Sequence, residues 1–104
     1  MKIFISQPMN GKTDEEILEA REHIIGLVRN KYGEDAEIID LFFDDYEPDE
    51  GNIPLKYLAK SIEMLADADL AVFGNGWSSA RGCSIELQCA TNYGIPVVYQ
   101  KYIE

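Results

Sequence analysis

Four short apolar segments alternate with three longer segments along the chain. The apolar segments cover residues 2–6, 37–42, 70–73 and 96–99, and each of them lies next to polar, proline-containing or glycine-containing sequence. Short apolar runs bounded by such turn signals are typical of buried strands. The segments between them are long enough for helices, so the chain predicts the element order β-α-β-α-β-α-β.

Polar residues mark where the predicted helices begin. Thr13 and Glu16 have the spacing of a capping box at the start of a first helix that ends by Gly33. An asparagine and a proline begin a second helix over residues 52–66, where apolar residues recur at the i, i+3, i+4, i+7 spacing. A third helix over residues 81–93 is followed by a glycine, the usual residue at such an end.

This order of elements predicts an α/β fold, namely a parallel sheet of about four strands with helices on both faces, in one domain over residues 1–104. Because all strands then point the same way, the loops 7–12, 43–52 and 74–81 meet at one edge of the sheet. Ligands of open α/β sheets bind in the crevice at that edge. The pattern therefore predicts a ligand site among these three loops.

Glu86 lies at the same edge, in the run Gly82-Cys83-Ser84-Ile85-Glu86 that opens the third helix. A carboxylate in that place can be a catalytic nucleophile. It can equally be a favourable residue for the first turn of a helix, because the macrodipole stabilises negative charge there by about 0.3–1 kcal/mol. Both interpretations stay open on the pattern alone.

Composition narrows the class of ligand. The 104 residues include 19 acidic and 9 basic residues, a net charge of −10, which argues against binding to nucleic acid or to an anionic membrane surface. No apolar run reaches the roughly 18–20 residues that span a bilayer, and the N-terminal strand is too short for a signal peptide. We therefore expect a cytoplasmic protein that binds a small molecule or another protein.

Two of the predicted loops contain candidate ligand-binding residues, and each loop also has a purely structural interpretation. Residues 6–11 could cradle a ligand with their backbone N–H groups or form an ordinary turn, and they lack the GxGxxG and P-loop patterns. Residues 44–50 carry five carboxylates but lack the spacing of an EF-hand, so a solvated loop is favoured over a metal site. Tyr46 in this loop could close on a base or sugar ring as part of a lid.

The segment before and at the start of the third helix holds two further candidates. Trp77 is either a cap on the edge of the sheet or a stacking surface for a heterocycle. Arg81 and the N–H groups of residues 82–84 suit an anion such as phosphate, with a salt bridge of Arg81 to the acidic surface as the alternative. Cys83 and Cys89 have neither redox nor metal-binding spacing, which favours two small, at least partly buried hydrophobic residues.

Three motifs taken together resemble a known family. Ile5-Ser6-Gln7-Pro8-Met9 closes the first strand, Ala68-Asp69-Leu70-Ala71-Val72 leads into the third strand, and Gly82-x-x-x-Glu86-x-x-x-Ala90 precedes Gly94-Ile95-Pro96-Val97-Val98. In this order and spacing they resemble the nucleoside 2-deoxyribosyltransferase-like superfamily over nearly the whole chain. The chain is most similar to small bacterial and phage members whose function is uncharacterised. The resemblance implies a three-layer flavodoxin-like, that is Rossmann-like, sheet.

The resemblance also implies roles for individual residues, with no metal and no organic cofactor. Glu86 matches the nucleophile that attacks C1′ of a nucleoside or nucleotide, releases the base and holds the sugar as a covalent ester. Base contacts would come from Met9, Tyr46 and Trp77. The expected substrate contacts taken together are Ser6, Gln7, Met9, Tyr46, Asn75, Trp77, Arg81, Gly82 and Ser84.

The chain departs from the superfamily at three positions. Ala80 and Ser61 stand where many active members carry aspartates that contact the base and the sugar, and Gln7 replaces a common glycine. Asp44 or Asp45 would then supply the auxiliary acid. The expected function is an N-glycosidic-bond hydrolase or 2-deoxyribosyltransferase, and the alternative is a catalytically inactive nucleotide-binding sensor.

Two expectations concern protein partners. Members of the superfamily commonly complete their sites across subunits, so the resemblance implies a homo-oligomer. An interaction protein whose acidic face docks a basic partner is a third hypothesis, and its association would depend strongly on salt.

Overall fold

A computed structural model describes residues 1–39 and 46–104 of the chain. It confirms the predicted alternation of strands and helices. The elements, in chain order, are β1 (Lys2–Ser6), α1 (Asp14–Tyr32), β2 (Glu37–Ile38), α2 (Ile53–Leu65), β3 (Leu70–Phe73), α3 (Arg81–Asn92) and β4 (Val97–Tyr99), with single 3-10 turns at Trp77–Ser79 and Gln100–Tyr102.

The described strands form one parallel sheet in the order β2-β1-β3-β4. The central pair β1 and β3 is the longest, with Ile3 opposite Leu70 and Ser6 opposite Phe73. Because both strands point the same way, the loops that follow Ser6 and Phe73 leave the sheet side by side. This pairing brings the first and third predicted loops together.

Alternate residues of β1 face opposite layers, as the two-residue period of a strand requires. Ile3 and Ile5 pack with Ile24 and Val28 of α1 in one buried cluster. Phe4 packs with buried residues of β3, α2 and α3 in a second cluster on the other face. The fold is therefore a three-layer, flavodoxin-like α/β arrangement, as predicted.

Local capping signals were reliable guides to the helices. The Thr13 hydroxyl accepts from the Glu16 N–H at 3.1 Å while the Glu16 carboxylate accepts from the Thr13 N–H at 3.0 Å, so the predicted capping box is formed. The Asn52 side chain accepts from the Leu55 N–H at 3.0 Å and caps α2. Each of these contacts joins residues three apart, which is why sequence alone locates them.

Two strand boundaries differ from the prediction. β4 begins at Val97 rather than Pro96, because proline has no N–H to donate, although its carbonyl still accepts from the Ala71 N–H at 2.9 Å. β2 covers Glu37–Ile38 of the predicted 37–42, and the remainder of that prediction from residue 40 onward lies outside the described residues.

Gly26 lies in the middle of α1, where a Cβ would meet no atom within 4 Å. Gly26→Ala is expected to stabilise the protein by about 0.5–1 kcal/mol, because alanine loses less backbone entropy on folding into a helix. Gly11 is the matched control, since it has equally open surroundings but a φ of +79°. Gly11→Ala is expected to destabilise, and urea unfolding of the two variants measures both effects.

Within the described residues, no helix combines the length and the apolar character needed to cross a lipid bilayer.

Candidate functional site

A pocket of about 960 Å³ opens at the carboxyl edge of the sheet. It lies between the loop after β1, the first half of α2, the loop after β3 and the start of α3. Its lining side chains among the described residues are Ile5, Ser6, Gln7, Pro8, Met9, Asn10, Lys12, Pro54, Tyr57, Leu58, Ser61, Asn75, Gly76, Ser79, Ala80, Arg81, Gly82, Cys83 and Glu86. The volume is in the range of pockets that bind small molecules.

Glu86 lines this pocket and is only 7% exposed. The Ser6 hydroxyl donates to Glu86 Oε1 at 2.7 Å, and it is the one hydrogen-bond partner of the Glu86 carboxyl among the described residues. α3 begins at Arg81, so Glu86 is in its second turn, beyond the first turn where the macrodipole favours a carboxylate. The helix macrodipole therefore does not explain why a carboxylate stands at position 86, whereas a role in the pocket does.

The protonation of Glu86 is set by its burial. Loss of hydration raises the pKa of this carboxyl from 4.5 to about 7, and the hydrogen bond from Ser6 acts in the opposite direction. The carboxyl therefore exchanges its proton close to neutral pH. A carboxyl with a pKa near the working pH is typical of groups that exchange protons or attack substrates.

Cys83 lies one helical turn before Glu86 and lines the same pocket. Burial raises the pKa of its thiol, the negative charge of Glu86 raises it further, and the Ser6 side chain lowers it. Cys83 therefore stays a neutral thiol at physiological pH. The sequence predicted a small, at least partly buried residue at Cys83, and the structure confirms its burial. The sequence did not predict that Cys83 lies next to Glu86.

The end of β1 and the loop after it contribute three of the predicted contacts, Ser6, Gln7 and Met9. Gln7 is buried and its side-chain amide donates to the Ile17 carbonyl at 3.0 Å, which ties the loop to α1. Met9 is 40% exposed, so its thioether is available to a ligand. Lys12, which was not predicted, also lines the pocket.

The start of α3 contributes Arg81 and Gly82 to the pocket, whereas Ser84 lies outside its lining. Arg81 and Lys12 give the pocket lining two cationic side chains in a chain whose net charge is −10. Neither cation forms an ion pair with another of the described residues. These two side chains suit an anionic group of a ligand.

Trp77 and Tyr46, the two aromatic residues expected to contact a base, both lie outside the pocket lining. Trp77 lies outside the pocket lining and stacks on Tyr99 with ring centroids 5.3 Å apart, while its edge meets Phe73 at 6.5 Å. Of the two interpretations of Trp77, this packing fits a cap on the sheet edge.

Tyr57 of α2, which the sequence analysis missed, lines the pocket instead. Tyr46 packs edge-on against it at 5.4 Å, accepts a hydrogen bond from the Tyr57 hydroxyl at its backbone carbonyl, and donates its own hydroxyl to the Lys56 carbonyl at 3.2 Å. Tyr46 therefore supports a pocket residue and is not itself in the lining. The sequence signal that could have identified Tyr57 is an aromatic residue near the start of a helix, directly after one of the loops predicted to form the site.

Asn75 lines the pocket and is attached to the C-terminal segment. Its backbone N–H donates to the Gln100 side chain at 2.9 Å, and its side-chain amide donates to Glu104 Oε1 at 2.9 Å. The Gln100 amide donates to the same oxygen at 3.1 Å. These contacts fix the loop after β3 relative to β4.

Ser61 and Ala80, the two positions at which the sequence resemblance lacks the expected aspartates, both line the pocket. They contribute a hydroxyl and a methyl group to its surface. The predicted auxiliary acids, Asp44 and Asp45, lie outside the described residues.

Comparison with known proteins identifies a family without an assigned activity. A search of curated proteins finds no match to this chain. The family model of DUF4406, whose description is "Domain of unknown function", matches residues 1–99 of the 104. The chain therefore belongs to the DUF4406 family.

Proposed function

We propose that this protein cleaves the N-glycosidic bond of a nucleoside or nucleotide, or transfers the sugar to a second base, with Glu86 as the nucleophile. The observation that carries the proposal is a buried carboxyl that faces a pocket of about 960 Å³ with one oxygen, Oε2, unbonded by any described residue. The proposal includes membership of the nucleoside 2-deoxyribosyltransferase-like superfamily, which the three sequence motifs support.

The reaction follows a double displacement. Oε2 of Glu86 attacks C1′, the C1′–N bond breaks, and the departing base takes the electron pair of that bond together with a proton from an acid. Water or a second base then attacks C1′, and the C1′–Oε2 bond breaks with its electron pair returning to Glu86. The conjugate base of the acid takes the proton of the attacking water or base, so the acid is restored and the configuration at C1′ is retained. Asp44 or Asp45 is assigned as the acid in this proposal.

The pocket offers suitable contacts for each part of such a substrate. The ring of Tyr57 and the thioether of Met9 provide apolar surface for a base. Lys12, Arg81 and the free N–H groups at the start of α3 suit a phosphate. A nucleoside 5′-monophosphate would use all of these contacts, so we expect it to be preferred to the nucleoside.

A binding module without turnover is the second candidate. Ser61 and Ala80 line the pocket at the positions of the two missing aspartates, so ligand recognition could persist without protonation of a leaving base. Such a protein would sense a nucleotide and not consume it.

Incubation with a panel of nucleosides, 2′-deoxynucleosides and their 5′-monophosphates, followed by chromatography of released base, tests the proposal. We expect Glu86→Ala to lower base release at least about 10³-fold, since it removes the nucleophile. Glu22→Ala, an exposed residue of α1, is the control and should retain wild-type rates. Denaturing mass spectrometry should show the mass of the bound sugar on the wild type only.

Two outcomes would redirect the assignment. Equal base release by the wild type and Glu86→Ala, at matched purity, would remove Glu86 from the mechanism. Calorimetric binding of a nucleotide without any base release would favour the sensor.

A further inference from the structure

Ser6 has a role that the motif comparison does not assign. We propose that Ser6 is a positioning residue, whose hydroxyl holds Glu86 Oε1 so that Oε2 is the oxygen that attacks the substrate. This proposal rests on the proposed function for its catalytic consequence, but the contact itself is independent of any substrate. It replaces the expectation that Ser6 contacts the substrate directly.

The placement of Ser6 makes it a rigid donor. It is the last residue of the central strand β1, it lies opposite Phe73 of β3, and it is 2% exposed. Its carbonyl accepts from the Gly74 N–H at 2.8 Å, which fastens the end of the strand to its neighbour. Because these contacts fix the backbone of Ser6, its hydroxyl has little freedom to move with the Glu86 side chain.

The hydrogen bond has the geometry of a charge-assisted contact. The distance of 2.7 Å from Ser6 Oγ to Glu86 Oε1 is in the range of hydroxyl donors to carboxylates. A serine hydroxyl has a single proton to donate, and here Oε1 accepts it. Oε2 of the same carboxylate keeps its lone pairs for the pocket.

The same contact serves both chemical steps. When the C1′–Oε2 bond forms and the C1′–N bond breaks, Oε1 becomes the carbonyl oxygen of the ester and Ser6 continues to donate to it. When the C1′–Oε2 bond breaks in the second step, its electron pair returns to Glu86, and the Ser6 proton stabilises the carboxylate that leaves.

The charged and titratable groups around Glu86 are few among the described residues. The pocket is lined by Cys83 and Arg81 of α3, Lys12 of the loop after β1, and Tyr57 of α2. Of these residues, Cys83 is the one whose thiol pKa is affected by both Ser6 and Glu86. Removing the Ser6 hydroxyl therefore leaves burial as the main influence on the pKa of Glu86.

The test is a carbon-13 NMR titration of Glu86 in glutamate-labelled protein, with Glu86→Gln to assign the signal. In Ser6→Ala the pKa of Glu86 is expected to rise by about one pH unit, because a donor to the charged form is lost. Ser78→Ala, at an exposed site outside the pocket lining, removes the same hydroxyl elsewhere and should leave the titration unchanged.

An unchanged Glu86 titration in Ser6→Ala would overturn the positioning role, whether or not any substrate is cleaved. If Ser6→Ala fails to fold, Ser6→Cys, which is similar in size and a weaker donor, replaces it, and an intermediate rise supports the proposal while no rise overturns it. Where base release is observed, Ser6→Ala should lower kcat with little change in KM and move the acidic limb of the pH–rate profile upward. Failure of all base release would refute the proposed function and leave the titration result standing.

Discussion

Glu86→Gln is expected to stabilise the protein by about 3 kcal/mol at pH 8 and above, and by almost nothing near pH 4. The pKa of Glu86 is about 7 in the folded protein, against 4.5 for the ordinary side chain, because burial disfavours the charged form. Between these values the folded state binds the proton more tightly than the unfolded state does. Ionisation of Glu86 therefore costs the wild type stability as the pH rises from about 4.5 to 7.

Glutamine has no charge to bury and keeps an oxygen that accepts from Ser6. The difference between Glu86→Gln and the wild type should therefore grow by about 1.4 kcal/mol for each pH unit in that interval and then level off. Urea unfolding at half-unit steps from pH 4 to 9 measures the curve.

The exposed residue Glu22 of α1 supplies the matched control. Glu22→Gln should change the free energy of unfolding by less than about 0.5 kcal/mol across the same range. A flat difference for Glu86→Gln would contradict the raised pKa. The expected combination of higher stability and lost base release would identify Glu86 as a residue retained for function at the expense of the fold.

Trp77→Ala and Tyr57→Ala should separate folding from ligand binding. Trp77 is half-buried against Tyr99 and Phe73, so its truncation is expected to cost about 2–3 kcal/mol of stability, somewhat less than for a fully buried tryptophan. Tyr57 is 39% exposed and lines the pocket, so its truncation should cost only about 1 kcal/mol, for the ring contact and the hydrogen bond that it makes to Tyr46. Its loss should instead raise KM, or the Kd of a nucleotide, about 10-fold, the usual effect of losing one base–aromatic contact.

Denaturant unfolding and calorimetric titration on the same two variants make the comparison. Trp77→Phe is the control for ring packing and should recover most of the stability. A Kd that rises more for Trp77→Ala than for Tyr57→Ala, at a temperature where both are folded, would contradict the assignment of the pocket aromatic.

The element order and the helix starts were predictable because their signals act over a few residues. The Thr13 capping box and the Asn52 cap each join groups three positions apart, and strand runs are recognised from contiguous apolar residues. The edge of the sheet that carries the pocket follows from the parallel order alone. Glu86 could accordingly be located at that edge from sequence.

The side-chain contacts in and around the pocket were not predictable in the same way. Trp77 stacks on Tyr99 and Asn75 binds Gln100 and Glu104, and each of these contacts depends on how two separate elements pack. Sequence patterns do not encode the distance or the angle between packed helices and loops. Tyr57 was missed for this reason, since only the placement of α2 against α3 turns its ring to the pocket.

The contact between Ser6 and Glu86 also has a consequence for how the protein folds. It joins residues 80 positions apart, across α1, α2 and the two strands β2 and β3. Pairings of such high sequence separation form late, because closing a long loop costs entropy that local contacts cannot offset. During synthesis this contact therefore cannot form until α3 has emerged, and a partly folded molecule has no assembled pocket with which to act on a ligand.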